Sequence, residues 1–256
     1  MRKGTSYGRK TAIYTAEDNG VVIMNIKKAI ITAFFIVVLM ISGVRAYAMT
    51  TGFATDEMPL EEQKVFLSNC SIDLIDSDDR TDSFTCFDVD ERGFIALGID
   101  NSTSKKIYIY NSEGEFQYGY SFENSGTFSM EWDNENIIIY FTRSGVAALV
   151  DKKARIIELR MISESLENYD YRTYVVFATK RTVGNIEYEM KNDPGIIYGL
   201  SPSYSQLIKL DQQGNMDIIY DCSSFHNARV ILIFGVFLLL FTMVPLGLFM
   251  KYGRKK

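Results

Sequence analysis

Histidine occurs once in this chain and cysteine three times. The single His226 stands four residues before a long apolar stretch. A Ser/His/Asp or Cys/His nucleophilic site would therefore have to be built at that boundary. Cys70, Cys86 and Cys222 have no zinc spacing. Their odd number leaves one thiol over if Cys70 and Cys86 pair, the disulfide we consider; a small buried hydrophobe is the equal alternative for each. No phosphate-cradling glycine loop is present. Calcium loops fail on residue type. Counting from Asp76, the fifth and sixth positions are Arg80 and Thr81. Counting from Asp88, Gly93 is correct, but Arg92 and Ile99 hold the fifth and twelfth places. No cofactor is expected and no catalytic residue can be named.

Positive charge is scarce in the middle of the chain. Residues 29–250 carry 17 basic and 30 acidic residues, a net of −13. Such a surface repels phosphate backbones, which argues against nucleic-acid binding. The ends are the reverse: Arg2, Lys3, Arg9, Lys10, Lys27 and Lys28 at one, Lys251, Arg254, Lys255 and Lys256 at the other. Basic ends suit the cytoplasmic face of a lipid bilayer.

Two apolar segments explain that placement. Val230 to Met250 is 21 residues without a charge; at about 1.5 Å per residue it matches a hydrocarbon layer of about 30 Å. We expect residues 230–250 to form a transmembrane helix and 251–256 a cytoplasmic tail. The earlier segment, Ala29 to Val44, follows a basic n-region (residues 1–28) and runs into Arg45-Ala46-Tyr47-Ala48. Residues 29–48 thus read as a signal peptide cleaved after Ala48 by its Ala46-x-Ala48 site, or as an uncleaved signal-anchor. A start at Met24 gives that signal ordinary length, and the first 23 residues then precede it.

Residues 49–229 are expected to be an extracytoplasmic β domain. Extended runs rich in Ile, Tyr and Phe alternate with Gly/Asn/Asp clusters. Ile107–Tyr110, Asn111-Ser112-Glu113-Gly114, Phe116–Phe122 is one such unit. Leu207–Leu210, Asp211-Gln212-Gln213-Gly214, Met216–Tyr220 is another. Three four-stranded units are expected near residues 84–122, 127–162 and 186–221, the third including strands at Ile186–Met190 and Ile196–Leu200. Further strands are expected at Val65–Leu67 and Ser71–Ile75. Between the second and third units lies a polar insertion, in which Ser163 is expected to cap a short helix. Tyr169, Tyr171 and Tyr174 in it are our candidates for a contact surface, against plain packing onto the sheets.

Through Phe87-Asp88-Val89-Asp90-Glu91-Arg92-Gly93 and Ile109-Tyr110-Asn111-Ser112-Glu113-Gly114-Glu115-Phe116, residues 84–221 resemble NHL-like β-propeller blade repeats. The chain is similar in plan to uncharacterised Gram-positive membrane-anchored extracytoplasmic proteins that carry such repeats. The resemblance implies a mainly β fold of propeller-like repeats, open or partial because three units fall short of the four that close a ring. Open sheet edges would invite a second copy or another partner. The leading functional expectation is a non-enzymatic domain binding a protein or cell-envelope component. The alternatives are an envelope hydrolase or lyase using carboxylates, and a sensor subunit signalling through a partner helix at Gly235 and Gly247.

Overall fold

Residues that alternate buried and exposed make strands with one covered face, and unbroken apolar runs make strands covered on both. Both kinds occur here, and they set the order of the layers. The computed structural model describes residues 49–78, 80–192 and 203–253, with no side chain beyond Phe241. Among these residues the elements are β1 (Thr55–Glu57), α1 (Leu60–Asn69), β2 (Ile72–Ile75), β3 (Cys86–Val89), β4 (Ile95–Asn101), β5 (Ser104–Tyr110) and β6 (Phe116–Glu123). Next come β7 (Phe128–Asp133), β8 (Asn136–Phe141), β9 (Val146–Val150), β10 (Ile156–Ile162), α2 (Leu166–Tyr171) and a π-helical turn, Arg172–Val176. The chain ends with β11 (Lys180–Val183), β12 (Ile186–Lys191), β13 (Gln206–Leu210), β14 (Met216–Asp221) and α3 (Ser223–Gly253).

The protein is mainly β, with three antiparallel sheets and no closed barrel. The first sheet runs β2-β6-β5-β4-β3, the second β1-β10-β9-β8-β7 and the third β11-β12-β13-β14. Ile95, Leu97, Ile99, Tyr108 and Tyr110 face one side of the first sheet and pack on Tyr188, Leu207 and Tyr220 of the third. Ala96, Ile107 and Ile109 face the other side, against Met130, Ile139 and Val150 of the second. The first sheet is therefore the middle layer, which is why β4 and β5 are apolar on both faces. The far face of the second sheet carries Ile138, Tyr140, Ala147 and Leu149, covered by Phe53 and Val176. In β12 of the third sheet Tyr188 and Met190 are buried while Glu187 and Glu189, which alternate with them, are not, so this strand is covered on one face.

The recurring Asx-x-x-Gly turn is built locally. Asp90 Oδ1 accepts the backbone N–H groups of Arg92 and Phe94 at 2.9 and 2.8 Å. Asn111 does the same for Glu113 and Glu115, and Asp151 for Lys153 and Arg155. Asp211 accepts from Asn215 N–H at 2.8 Å. The fourth position turns left-handed, at Gly93 (φ 84°), Gly114 (φ 80°) and Gly214 (φ 80°), with Ala154 (φ 60°) in the one turn that lacks glycine. A side-chain oxygen that satisfies two donors of its own turn is the physical reason for the motif.

Several expectations change. Val65–Leu67 lies inside α1, where Glu61 and Glu62 occupy the first turn and suit the helix dipole. Ile72–Ile75 is a strand as expected, paired with β6. Strand β12 takes Lys180–Val183 and Gln206–Leu210 as its neighbours; the expected Ile196–Leu200 strand lies outside the described residues. Cys70 and Cys86 are free thiols, as is Cys222. Cys86 is buried against the Phe128 carbonyl (3.7 Å), and burial pushes its thiol up to about 12 and that of Cys70 to about 11. Such thiols stay protonated at neutral pH. The Ala46–Ala48 cleavage site and residues 1–28 lie outside the described residues.

Helix α3 follows β14 directly. Its first turns sit on the β domain: His226 is buried, and Arg229 reaches Asp82 at 3.3 Å. Burial, with the nearby Arg229 charge, lowers the His226 pKa. Beyond Arg229, Ile231, Leu232, Ile233, Phe234, Val236 and Phe237 are all more than half exposed. Among the described residues no helix is long and apolar enough to cross a membrane; the charge-free run continues past the last described side chain.

Candidate functional site

The insertion builds a cleft over the open face of the second sheet. Ser165, not Ser163, caps α2: its hydroxyl accepts Asn168 N–H at 3.1 Å. The buried Asn168 side chain then ties the insertion to the N-terminal segment. It accepts Ala54 N–H at 2.8 Å and donates to the carbonyls of Ala54 (2.9 Å) and Ser163 (2.6 Å). Tyr171 packs edge-on against Phe53, with ring centroids 4.8 Å apart. A Cβ on Gly52 would fall 2.2 Å from the Tyr171 ring, so glycine is required there for close approach.

The cleft is about 480 Å3, within the range of small-molecule sites. Its floor is Phe53, Tyr140, Val176 and Phe177, and its rim includes Thr142, Arg143, Ser163, Ser165, Tyr169 and Arg172. The Arg172 guanidinium lies 5.5 Å from the Tyr169 ring centroid. The three tyrosines of the insertion thus separate. Tyr169 is exposed and lines the cleft, Tyr171 is half-buried and held by a carboxylate, and Tyr174 is exposed and outside the cleft.

A second polar group lies where the first strands of the sheets meet, β3 touching both β7 and β11. Asp88 of β3 accepts Trp132 N–H from β7 at 2.8 Å and Arg181 Nε from β11 at 3.1 Å. Burial raises the Asp88 pKa, outweighing those donors and the Arg181 charge. Glu131 of β7 accepts the hydroxyls of Tyr171 (2.7 Å) and Tyr140, and Tyr140 also bonds the Thr51 hydroxyl at 2.6 Å. Burial raises Glu131 too, against those two hydroxyls, and the Asp88 charge adds to the rise. Sequence spacing could not single out this pair, because alternation marks which strand residues share a face but not which strands meet.

The raised Glu131 gives a pH test. Its folded pKa exceeds the ordinary value of about 4.3. The stability it contributes is therefore fully present below that value and lost as pH rises through the folded pKa. Glu131→Gln should melt at or above the wild-type temperature near pH 7.5, and the wild type should gain on it near pH 4.5. Parallel thermal melts check this; a constant gap would mean the carboxylate is no more buried than an ordinary one.

In the densest acidic stretch of the sequence, two carboxylates, Asp78 and Asp82, are held by protein partners. Asp78 accepts from Arg80 N–H (2.7 Å) and the Tyr110 hydroxyl, and Asp82 from Lys106 Nζ (3.1 Å). Burial alone would raise Asp82; Lys106, Asn101 and Arg229 overcome it and hold the carboxyl below its usual range. Among the described residues no three His, Cys, Asp or Glu side chains converge as a metal ion would need.

Fold and cleft together define a mainly β protein of three layered sheets with a helical insertion over one face. Comparison with protein-family models, curated proteins and solved structures finds no match.

Proposed function

We propose that the chain is a membrane-anchored extracytoplasmic β-repeat protein that binds a protein or cell-envelope component without catalysing a reaction. The observation that carries this reading is helix α3. It continues straight from the last strand for 31 residues, and past Arg229 its described side chains are apolar on every side and exposed. A helix of that composition suits a hydrocarbon environment, and the basic residues on its C-terminal side suit the cytoplasmic face. The three meanders, each with its first strand toward the others, support an open propeller-like array, to which β1 and β2 add outer strands.

The carboxylates favour binding over hydrolysis. Asp88 and Glu131 have the raised pKa values an acid–base pair would need. All four of their oxygens, however, already accept from protein donors, which leaves the pair as framework.

Treating intact cells with protease tests the topology. The β domain should be digested from outside while an epitope on residues 251–256 is protected. Protection of the whole chain, or its recovery in the soluble fraction, would overturn the reading.

A further inference from the structure

Eight arginines are described, and six of them, Arg80, Arg92, Arg155, Arg160, Arg181 and Arg229, pair with a carboxylate. The other two are Arg143 and Arg172, and both line the insertion cleft. In a domain with so large an acidic excess, a guanidinium without a carboxylate stands out, and here two such residues line one cleft. Arg143 donates only to the Ser125 hydroxyl at 3.3 Å, and Arg172 stacks on Tyr169. One carboxylate, exposed Glu164, also lines the cleft, and it pairs with neither arginine.

We propose that this cleft binds a phosphate ester, with Arg143 and Arg172 as its anion-binding residues. Guanidinium forks take oxyanions through paired N–H groups. Two guanidinium forks, with the Ser165 hydroxyl, which accepts from Asn168 N–H and keeps its own hydrogen to donate, offer more donors than the two oxygens of a carboxylate can use. The oxygens of a phosphate ester can use them. Phe53, Val176 and Phe177 form an apolar floor for the carbon skeleton of the ester, and the Tyr169 ring walls one side. The arginines come from different elements. Arg143 sits in the β8–β9 turn and Arg172 begins the π-helical turn, so the site exists only because the insertion folds back over the second sheet.

This assignment names the ligand chemistry of the binding function proposed above and rests on that reading only for the source of the phosphate. Calorimetric titration of the full chain in detergent separates the sources. The probes are glycerol phosphate, a glycerol-phosphate polymer and, as control, acetate. Saturable heat from glycerol phosphate is expected, with affinity at least tenfold weaker in Arg143→Ala and in Arg172→Gln. Arg143→Lys should retain part of the affinity, and circular dichroism melts confirm folding of each variant. Tighter binding of the polymer identifies an envelope polymer as the source; binding of the monomer alone identifies a free ester. The proposal is overturned by no saturable heat from either phosphate probe, by acetate binding as tightly, or by unchanged affinity in the folded double variant. The membrane topology is measured separately on cells, so either reading can fail without the other.

Discussion

Replacing Asp88 with alanine should lower the unfolding free energy by about 3–5 kcal/mol, the range for breaking a buried ion pair from one side. Asp88 joins all three sheets: it is on β3, and its oxygens accept from Trp132 N–H of β7 and Arg181 of β11. Both members of the Asp88–Arg181 pair have side chains only 14% exposed. Alanine would strand the guanidinium in that environment and leave the Trp132 N–H without its acceptor. Arg181 also donates to the Val176 carbonyl at 3.2 Å, which the Ser129 hydroxyl shares at 3.1 Å. The disturbance should therefore reach the π-helical turn and the cleft beside it. Asp88→Asn keeps an acceptor for Trp132 and should fall between alanine and wild type. Urea unfolding of the detergent-solubilised chain measures both. A loss under about 1 kcal/mol for alanine would mean that apolar packing alone holds the sheets together.

Ending the chain after Arg229 should move it from the membrane pellet to the soluble fraction almost completely. The cut removes the charge-free run Val230–Met250 and keeps the helix start that the β domain holds, with buried His226 and the Arg229–Asp82 pair. A milder version places a charge in the apolar run. Val236→Arg should weaken insertion by about 2.5–3.5 kcal/mol if that position lies near the bilayer centre. Alkaline extraction of membranes reads both variants. Pelleting of the truncated chain at wild-type levels would show that something other than α3 anchors it, and would redirect attention to residues 29–48.

The turns of the repeat could be read from the sequence because their physics is local. Asp90, Asn111, Asp151 and Asp211 satisfy donors two or four residues away, so the motif and its bonds sit in one short window. The central strands of the first two sheets were equally legible, since the apolar runs Ile95–Ile99 and Val146–Val150 are continuous in the sequence, whereas the three-residue edge strand β1 carried no such run. Strand β11 was not: Lys180-Arg181-Thr182-Val183 has one apolar residue, and it is a strand because β12 pairs with it. Helix α1 was misread because Val65, Phe66 and Leu67 suit a strand as well as a helix. Only the ten-residue span from Leu60, with acidic residues in its first turn, decides for the helix.

The candidate site was legible only in part. Tyr169 stood out as an aromatic residue in a polar insertion, but Arg143 and Arg172 carried no local mark. Their significance comes from what they lack, a carboxylate partner, and that is a statement about three-dimensional neighbours. The same holds for Asn168, which bonds Ala54 across 114 positions, and for Asp88, which meets Arg181 across 93.

By itself, then, the sequence determined what depends on neighbours a few residues apart: the strands and turns of the repeat, the acidic middle, the apolar run at the C-terminus. The tertiary structure decided which sheet lies in the middle, that the insertion covers the second sheet, and that two unpaired arginines share one cleft. Burial and hydrogen bonding between segments a hundred residues apart leave no periodicity along the chain, so only the folded arrangement brings them together.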